Sequence, residues 1–265
     1  GQVWSPKNFD GKTNGVVPLY LALNRSLNLA MVNLGVTLGL EKVQKEFELL
    51  TGRKPRNQFP SFLLGAEPMS PLEVSELYSN FASGGFNLKP KAVIDVLDSA
   101  GSPLSHHSIV LEQTINPTIS NTLNRSLELT MRRGTGRFSS FSKSGVAGKT
   151  GTTNDNRDSW FAGFDDNKLA VFWVGRDDNK SSGLSGASGA LKVWDASLRR
   201  IGVSPLSIPK DETLIDIEYI TGKMARPSCA DTVRIPVRDL TKLSTKAGCS
   251  LGKTLGERLR SLFTN

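Results

Sequence analysis

The amino-acid sequence predicts an α+β or α/β sandwich, an antiparallel sheet flanked by helices. Three observations point there. Apolar residues recur at helical spacing from Val17 to Leu50 and again after Asn116-Pro117. Two apolar runs, Ser159–Phe164 and Leu169–Val174, are joined by the polar turn Asp165-Asp166-Asn167 and read as a hairpin. An amphipathic helical pattern, Ala190–Ile201, follows and can cover one face of the sheet. A chain of 265 residues, 38% hydrophobic and 22% charged, suits one large domain with room for a small appendage.

Each element has its own signal. Between Val17 and Leu50 the helical pattern meets possible breaks at Gly35 and Gly39, and Gly52 follows it. Residues 51–69 read as a loop punctuated by Pro55, Pro60 and Pro68. Ser70-Pro71-Leu72-Glu73 is a capping box with proline at the first helical position, and Gly84-Gly85 supplies the stop. From Pro90 to Leu104 a β-hairpin is expected, the run Ala92–Leu97 turning at Ser99-Ala100-Gly101. Asn116-Pro117 opens a helix that ends at Arg132-Arg133 before Gly134. A Gly/Ser-rich loop then leads to a strand at Ala147–Thr153. After Pro205 come short β-like runs, Leu214–Ile220 and Thr232–Val237, and a basic helix-prone tail, Leu251–Phe263. These divide the chain into a main domain, 1–203, and a C-terminal appendage, 204–265.

Composition narrows the function. The net charge of +8 is spread along the chain without a basic run or an aromatic-interleaved patch, so nucleic acid is not an expected partner. No apolar stretch is long enough to span a bilayer. Two histidines, adjacent at His106-His107, and two cysteines fall short of a metal-ligand set, and no cofactor is expected. Cys229 and Cys249 either form a disulfide or remain free thiols. The disulfide would close a loop of about 20 residues, stabilise by on the order of 3 kcal/mol and imply an oxidising compartment.

The chemistry concentrates in Ala147-Gly148-Lys149-Thr150-Gly151-Thr152-Thr153. A strand-borne ammonium, two hydroxyls and a glycine suit a carboxylate-bearing peptide. Lys149 supplies positive charge, Thr150 and Thr152 supply donors, and Gly151 lets a ligand lie flat on the strand. Far upstream, Ser26-Leu27-Asn28 sits between two helical stretches, where a turn can aim a proton-relaying hydroxyl and an amide into one cleft. Trp160 and Phe161 read as core rather than cleft wall. Asp158 either pairs with a base such as Arg157 or caps the turn. Gly134-Thr135-Gly136 reads as a helix stop and tight loop, and His106 and His107 as exposed loop residues.

Taken together, these motifs resemble the transpeptidase domain of class A, bifunctional penicillin-binding proteins, nearest to the 1b type of Gram-negative bacteria. The resemblance also rests on Trp4-Ser5-Pro6-Lys7-Asn8-Phe9-Asp10-Gly11-Lys12, Leu64-Gly65-Ala66-Glu67-Pro68-Met69, Phe81-Ala82-Ser83-Gly84-Gly85, Gly134-Thr135-Gly136 and Asp158-Ser159-Trp160-Phe161-Ala162-Gly163, and covers about residues 1–200. It implies the penicillin-binding and serine β-lactamase fold, incomplete at its N-terminus. It implies a D,D-transpeptidase that cross-links peptidoglycan stem peptides, D-Ala–D-Ala donor to amine acceptor, through a serine acyl-enzyme that β-lactams also form.

The family's nucleophile lies in S-x-x-K ahead of S-x-N, and no such element precedes Ser26. Ser140-Phe141-Ser142-Lys143 matches the pattern but lies downstream, in the Gly/Ser-rich loop, and reads as a solvated connector. The resemblance therefore implies a fragment without its nucleophile, inactive alone. Its catalytic residues would be Ser26, Lys149 and Thr152, with Thr152 N–H as an oxyanion donor. Asn28, Thr150, Gly151 and Thr152 would hold substrate. A parent protein at the periplasmic face of the inner membrane, anchored and using lipid II through a glycosyltransferase domain, is also implied. Two alternatives stand beside this reading: a serine β-lactamase, and a non-catalytic module that only binds peptidoglycan peptides.

Overall fold

The computed structural model describes residues 4–207, 213–237 and 247–249. The helix-prone tail Leu251–Phe263 lies outside the described residues. The helical stretch read from Val17 to Leu50 is three helices, α1 (Leu19–Arg25), α2 (Asn28–Leu38) and α3 (Leu40–Thr51). Ser26 breaks the first from the second in a left-handed conformation, φ 52°. Gly39, φ 91°, breaks the second from the third. Gly35 does not break the chain: it lies inside α2, where an added Cβ would sit 2.4 Å from Leu63 Cδ2. It lets residues 60–64, a short 3₁₀ turn within the expected loop, close on the helix.

That loop is tied down by a carboxylate. Glu67 accepts from Arg53 and from the backbone N–H groups of Arg56 and Asn57. Burial pushes its pKa up, but these bonds outweigh burial and hold it below the usual value. The capping box then opens α4 (Pro71–Ala82), with Ser70 and Glu73 bonded reciprocally.

The expected hairpin forms as β2 (Asp95–Leu97) and β3 (Pro103–His106), extended by β1 (Phe86–Leu88) pairing with β4 (Leu111–Gln113). His106 lies in β3 rather than in a loop, because its Nδ1 meets Asp95 Oδ1 at 2.6 Å across the ladder. α5 (Pro117–Arg133) starts at Asn116, whose side chain accepts from Thr118 N–H.

The central sheet runs β5 (Ala147–Thr152), β6 (Ser159–Phe164), β7 (Leu169–Val174), all antiparallel, with β5 at one end. One face takes α6 (Ala190–Ile201), whose Leu191, Trp194 and Leu198 bury Phe161 and Val146. On the other face Ala147 and Phe164 pack with Leu127 of α5, beside Tyr78 and Phe81 of α4. Phe161 is fully buried, as the core reading expects; Trp160 is half-buried and tilted against Trp173. Asp165 is buried at the β6–β7 turn and accepts from the N–H groups of Asn167, Lys168 and Ser204.

Beyond Pro205, β8 (Leu214–Glu218) and β9 (Thr232–Pro236) form a ribbon. Its Ile217, Tyr219 and Val233 bury with Leu21 of α1 and Leu129 of α5. The residues assigned to the appendage thus share a hydrophobic cluster with the helices. Tyr20 donates to Tyr219 O, and Arg133 stacks over the Tyr219 ring at 4.0 Å. Cys229 and Cys249 form a disulfide, which rules out the free-thiol alternative.

Candidate active site

β5 and the α1–α2 junction meet. The Lys149 ammonium donates to Ser26 Oγ, joining two motifs far apart in the chain, and also to Thr150 O at 3.0 Å. Ser26 reaches it from a left-handed residue closing α1, where Ser26 N–H bonds Leu23 O and Leu27 N–H bonds Ala22 O. A non-glycine residue in this conformation costs about 1 kcal/mol, and it turns the serine side chain off the helix toward β5. Burial pushes the Lys149 pKa down to about 8. A lysine so placed releases and regains a proton near neutrality, which an ordinary surface lysine does not.

The two strand hydroxyls are held differently. Thr152 Oγ1 accepts from Gly186 N–H at 2.9 Å, which leaves its own proton free to donate. Thr150 Oγ1 instead donates to Thr135 Oγ1 at 2.7 Å. Gly186 can approach only because it lacks a Cβ, which would lie 2.5 Å from Gly151 O. Gly151 is half-buried beside Trp160, whose Cβ would meet a side chain there at 3.0 Å.

Among the described residues the Asn28 side chain makes no hydrogen bond to β5. Its amide donates to Lys7 O at 2.8 Å, while Asn8 Oδ1 accepts from Leu29 N–H, so the segment around Lys7-Asn8 caps the start of α2. Asp158 caps its turn: it exchanges hydrogen bonds with Thr153 and accepts from Trp173 Nε1. Arg157 pairs with Asp155 instead. Ser140 accepts from Arg199, and its backbone N–H donates to the buried Asp195, so it belongs to an anchored surface loop.

Sequence reasoning missed two contributors. Asn24 is fully buried, and its carbonyl accepts from Thr135 N–H at 3.0 Å. With its amide oriented to satisfy its neighbours, the side chain donates to Tyr20 O, Ser126 O and Thr130 Oγ1. Gly134 and Gly136 let Thr135 sit there: a Cβ on Gly134 would be 2.2 Å from Asn24 O, and one on Gly136 2.5 Å from Met131 Sδ. Gly134-Thr135-Gly136 counts toward the family resemblance, but its local reading, a helix stop and tight loop, gives Thr135 no role in the cleft.

A family model of the penicillin binding protein transpeptidase domain matches residues 2–193. The chain belongs to this family. Penicillin-binding protein 1B of Vibrio cholerae is 35% identical over 244 residues, 90% of this chain and 31% of that protein. Penicillin-binding protein 1B of Escherichia coli K12 is 36% identical over 222 residues, covering 82% and 26%. The chain thus spans about a third or less of these relatives, whose kind agrees with the 1b-like motifs. Among solved structures, penicillin-binding protein 1A of Haemophilus influenzae superposes with a TM-score of 0.76 at 23% identity, over 96% of this chain and 44% of that one. PonA1 of Mycobacterium tuberculosis, in complex with penicillin V, gives 0.64 at 19%, covering 82% and 64%. At such identities these two establish the fold, which is the transpeptidase fold. Among the described residues no helix is long and apolar enough to cross a membrane.

Proposed function

We propose that the chain is the C-terminal part of a serine-type D,D-transpeptidase in peptidoglycan synthesis, with Ser26, Lys149 and Thr152 catalytic and Asn28, Thr150, Gly151 and Thr152 on the substrate. The observation that carries this is the part-buried hydrogen bond from Lys149 to Ser26 on a K-T-G-T strand that opens toward Thr152. It supplies a proton path and a positive charge at one point.

In this reading a serine of an upstream S-x-x-K element attacks the carbonyl between the two terminal D-alanines. Its proton passes by way of Ser26 and Lys149 to the departing amine of the last D-alanine. The C–N bond breaks and an ester to the serine forms; an acceptor amine then attacks that ester, the C–O bond breaks, and the amine's proton returns to the serine as the cross-link amide forms. Thr152 N–H is one oxyanion donor. Its hydroxyl, whose proton is free, binds the terminal carboxylate together with Thr150 and the Lys149 charge. The glycine at 151 admits the peptide against the strand. Asn28 exchanges its Lys7 partner for the substrate amide. A β-lactam enters by the same route and stays as the acyl-enzyme.

Residues 1–203 are the catalytic domain in this proposal, and 204–265 a C-terminal unit whose β8–β9 ribbon braces α1 and α5. The disulfide favours an oxidising compartment, the periplasmic face of the inner membrane. The membrane anchor and lipid II-using glycosyltransferase belong to the remainder of the protein.

Fluorescent penicillin tests the assignment. It labels a chain extended upstream through Ser-x-x-Lys and leaves residues 1–265 unlabelled. Labelling of the short chain at Ser140 overturns the reading, rapid turnover of nitrocefin by the extended chain favours a β-lactamase, and absence of label on both favours a binding module.

A further inference from the structure

We propose that Thr135 is a positioning residue of this cleft, holding the Thr150 hydroxyl in line for a ligand carboxylate; the proposal rests on the transpeptidase reading. A threonine hydroxyl has one proton and two lone pairs. Thr150 directs its proton to Thr135 Oγ1 at 2.7 Å, and Thr135 Oγ1 donates to no described residue. The pair therefore holds one proton between its oxygens and one free. Rotating both hydroxyls moves the free proton from Thr135 to Thr150, so Thr135 becomes the donor and Thr150 presents its proton outward. A carboxylate arriving at the strand meets Thr152 with its proton already free and Thr150 with its oxygen fixed in place by Thr135. Neither hydroxyl has to break a bond without forming another.

The mounting of Thr135 is rigid enough for this work. Its N–H is bonded to Asn24 O, and both Gly134 N–H and Gly136 N–H return to Thr130 O. Asn24 stands two residues before Ser26, so its backbone carbonyl ties the Thr135 loop to the end of the helix that closes in the serine turn. A loop built only to end α5 needs the glycines but not a hydroxyl between them.

The test compares two ligands on the full-length protein, benzylpenicillin and its methyl ester, which lacks the free carboxylate. Thr135→Val slows acylation by benzylpenicillin roughly fivefold to tenfold, the size of one neutral hydrogen bond, and leaves the slow reaction with the ester unchanged. Thr135→Ser restores the wild-type rate. In a Thr150→Val background the Thr135→Val effect vanishes, because the hydroxyl it positions is gone. Equal slowing with acid and ester, or an effect that persists without the Thr150 hydroxyl, makes Thr135 merely structural and overturns the proposal. Should Thr135→Val fail to fold, Thr135→Ala carries the same comparison. Wild-type protein that penicillin does not acylate overturns the transpeptidase reading instead, and this one with it.

Discussion

Replacing Lys149 with methionine should stabilise the protein at neutral pH, by an amount that shrinks as pH rises. Burial lowers the lysine pKa from the ordinary 10.5 to about 8, and at ~1.4 kcal/mol per pH unit the charged form costs the fold about 3 kcal/mol. The hydrogen bonds to Ser26 and Thr150 O that methionine loses return about 1 kcal/mol, so Lys149→Met gains about 2 kcal/mol near pH 7. The sign follows from proton counts. Between pH 8 and 10.5 the unfolded chain still holds the proton that the folded chain has released, so wild-type stability rises with pH there. The penalty is present in full below the folded pKa and gone above the unfolded one. Urea unfolding of both proteins, from about pH 7 to about pH 10.5, measures it, and only their difference counts because tyrosines titrate in both. The same advantage for methionine at both ends of that range would show that burial does not perturb Lys149.

Gly134→Ala forces a methyl toward the backbone oxygen of Asn24, which cannot move aside; a loss of about 2 kcal/mol in denaturant unfolding is expected, and stability equal to wild type would refute that contact. Asp165→Asn should cost about 2 kcal/mol at neutral pH, since the carboxylate accepts three backbone bonds at the β6–β7 turn. Burial raises the Asp165 pKa, but bonds from Ser204, Asn167 and Lys168 prevail and lower it; its contribution is therefore present above the ordinary carboxylate pKa and fades as pH falls through the lowered one. Acid titrations of the two proteins that stay parallel would contradict this. Ser70→Ala removes one half of the capping box and should lower stability by about 1 kcal/mol, with a raised pKa for Glu73, which Ser70 and Arg56 hold at about 2; carbon-13 NMR of the carboxyl reads it.

Local chemistry made much of this fold legible. Ser70-Pro71-Leu72-Glu73 and Asn116-Pro117 carry their helix starts in side chains adjacent to the turn they stabilise. The sheet strands Ser159–Phe164 and Leu169–Val174 have the bounds that their apolar runs and intervening turn suggest. Gly35 misled because a glycine that breaks a helix and one that admits Leu63 look alike in a sequence. His106 misled because its partner Asp95 is a cross-strand neighbour, visible only once the register is known. In the cleft, Lys149 and Ser26 were found through motif spacing. Asn24 and Thr135 were not, since what makes them matter is a backbone bond from the loop after α5 to α1 and a hydroxyl pair between loop and strand. The two glycines flanking Thr135 gave half of that information. The Lys7 partner of Asn28 lies in the stretch Trp4–Lys12, which carries the family resemblance but offers no sign of this backbone contact.

β5 stands at the end of the sheet, and this carries a liability apart from its chemistry. An end strand offers a row of backbone donors and acceptors to any extended chain, including another copy of itself. Ala147 and Gly148 are sealed by α5, but from Lys149 onward the strand is half-exposed and then open. The residues there are a cation, two threonines and a glycine; the threonines favour a strand, but the Lys149 charge and the glycine disfavour self-pairing. The features that suit this strand to a peptide thus also keep it from aggregating. Variants that remove the Lys149 charge should therefore be watched for loss of solubility as well as loss of activity.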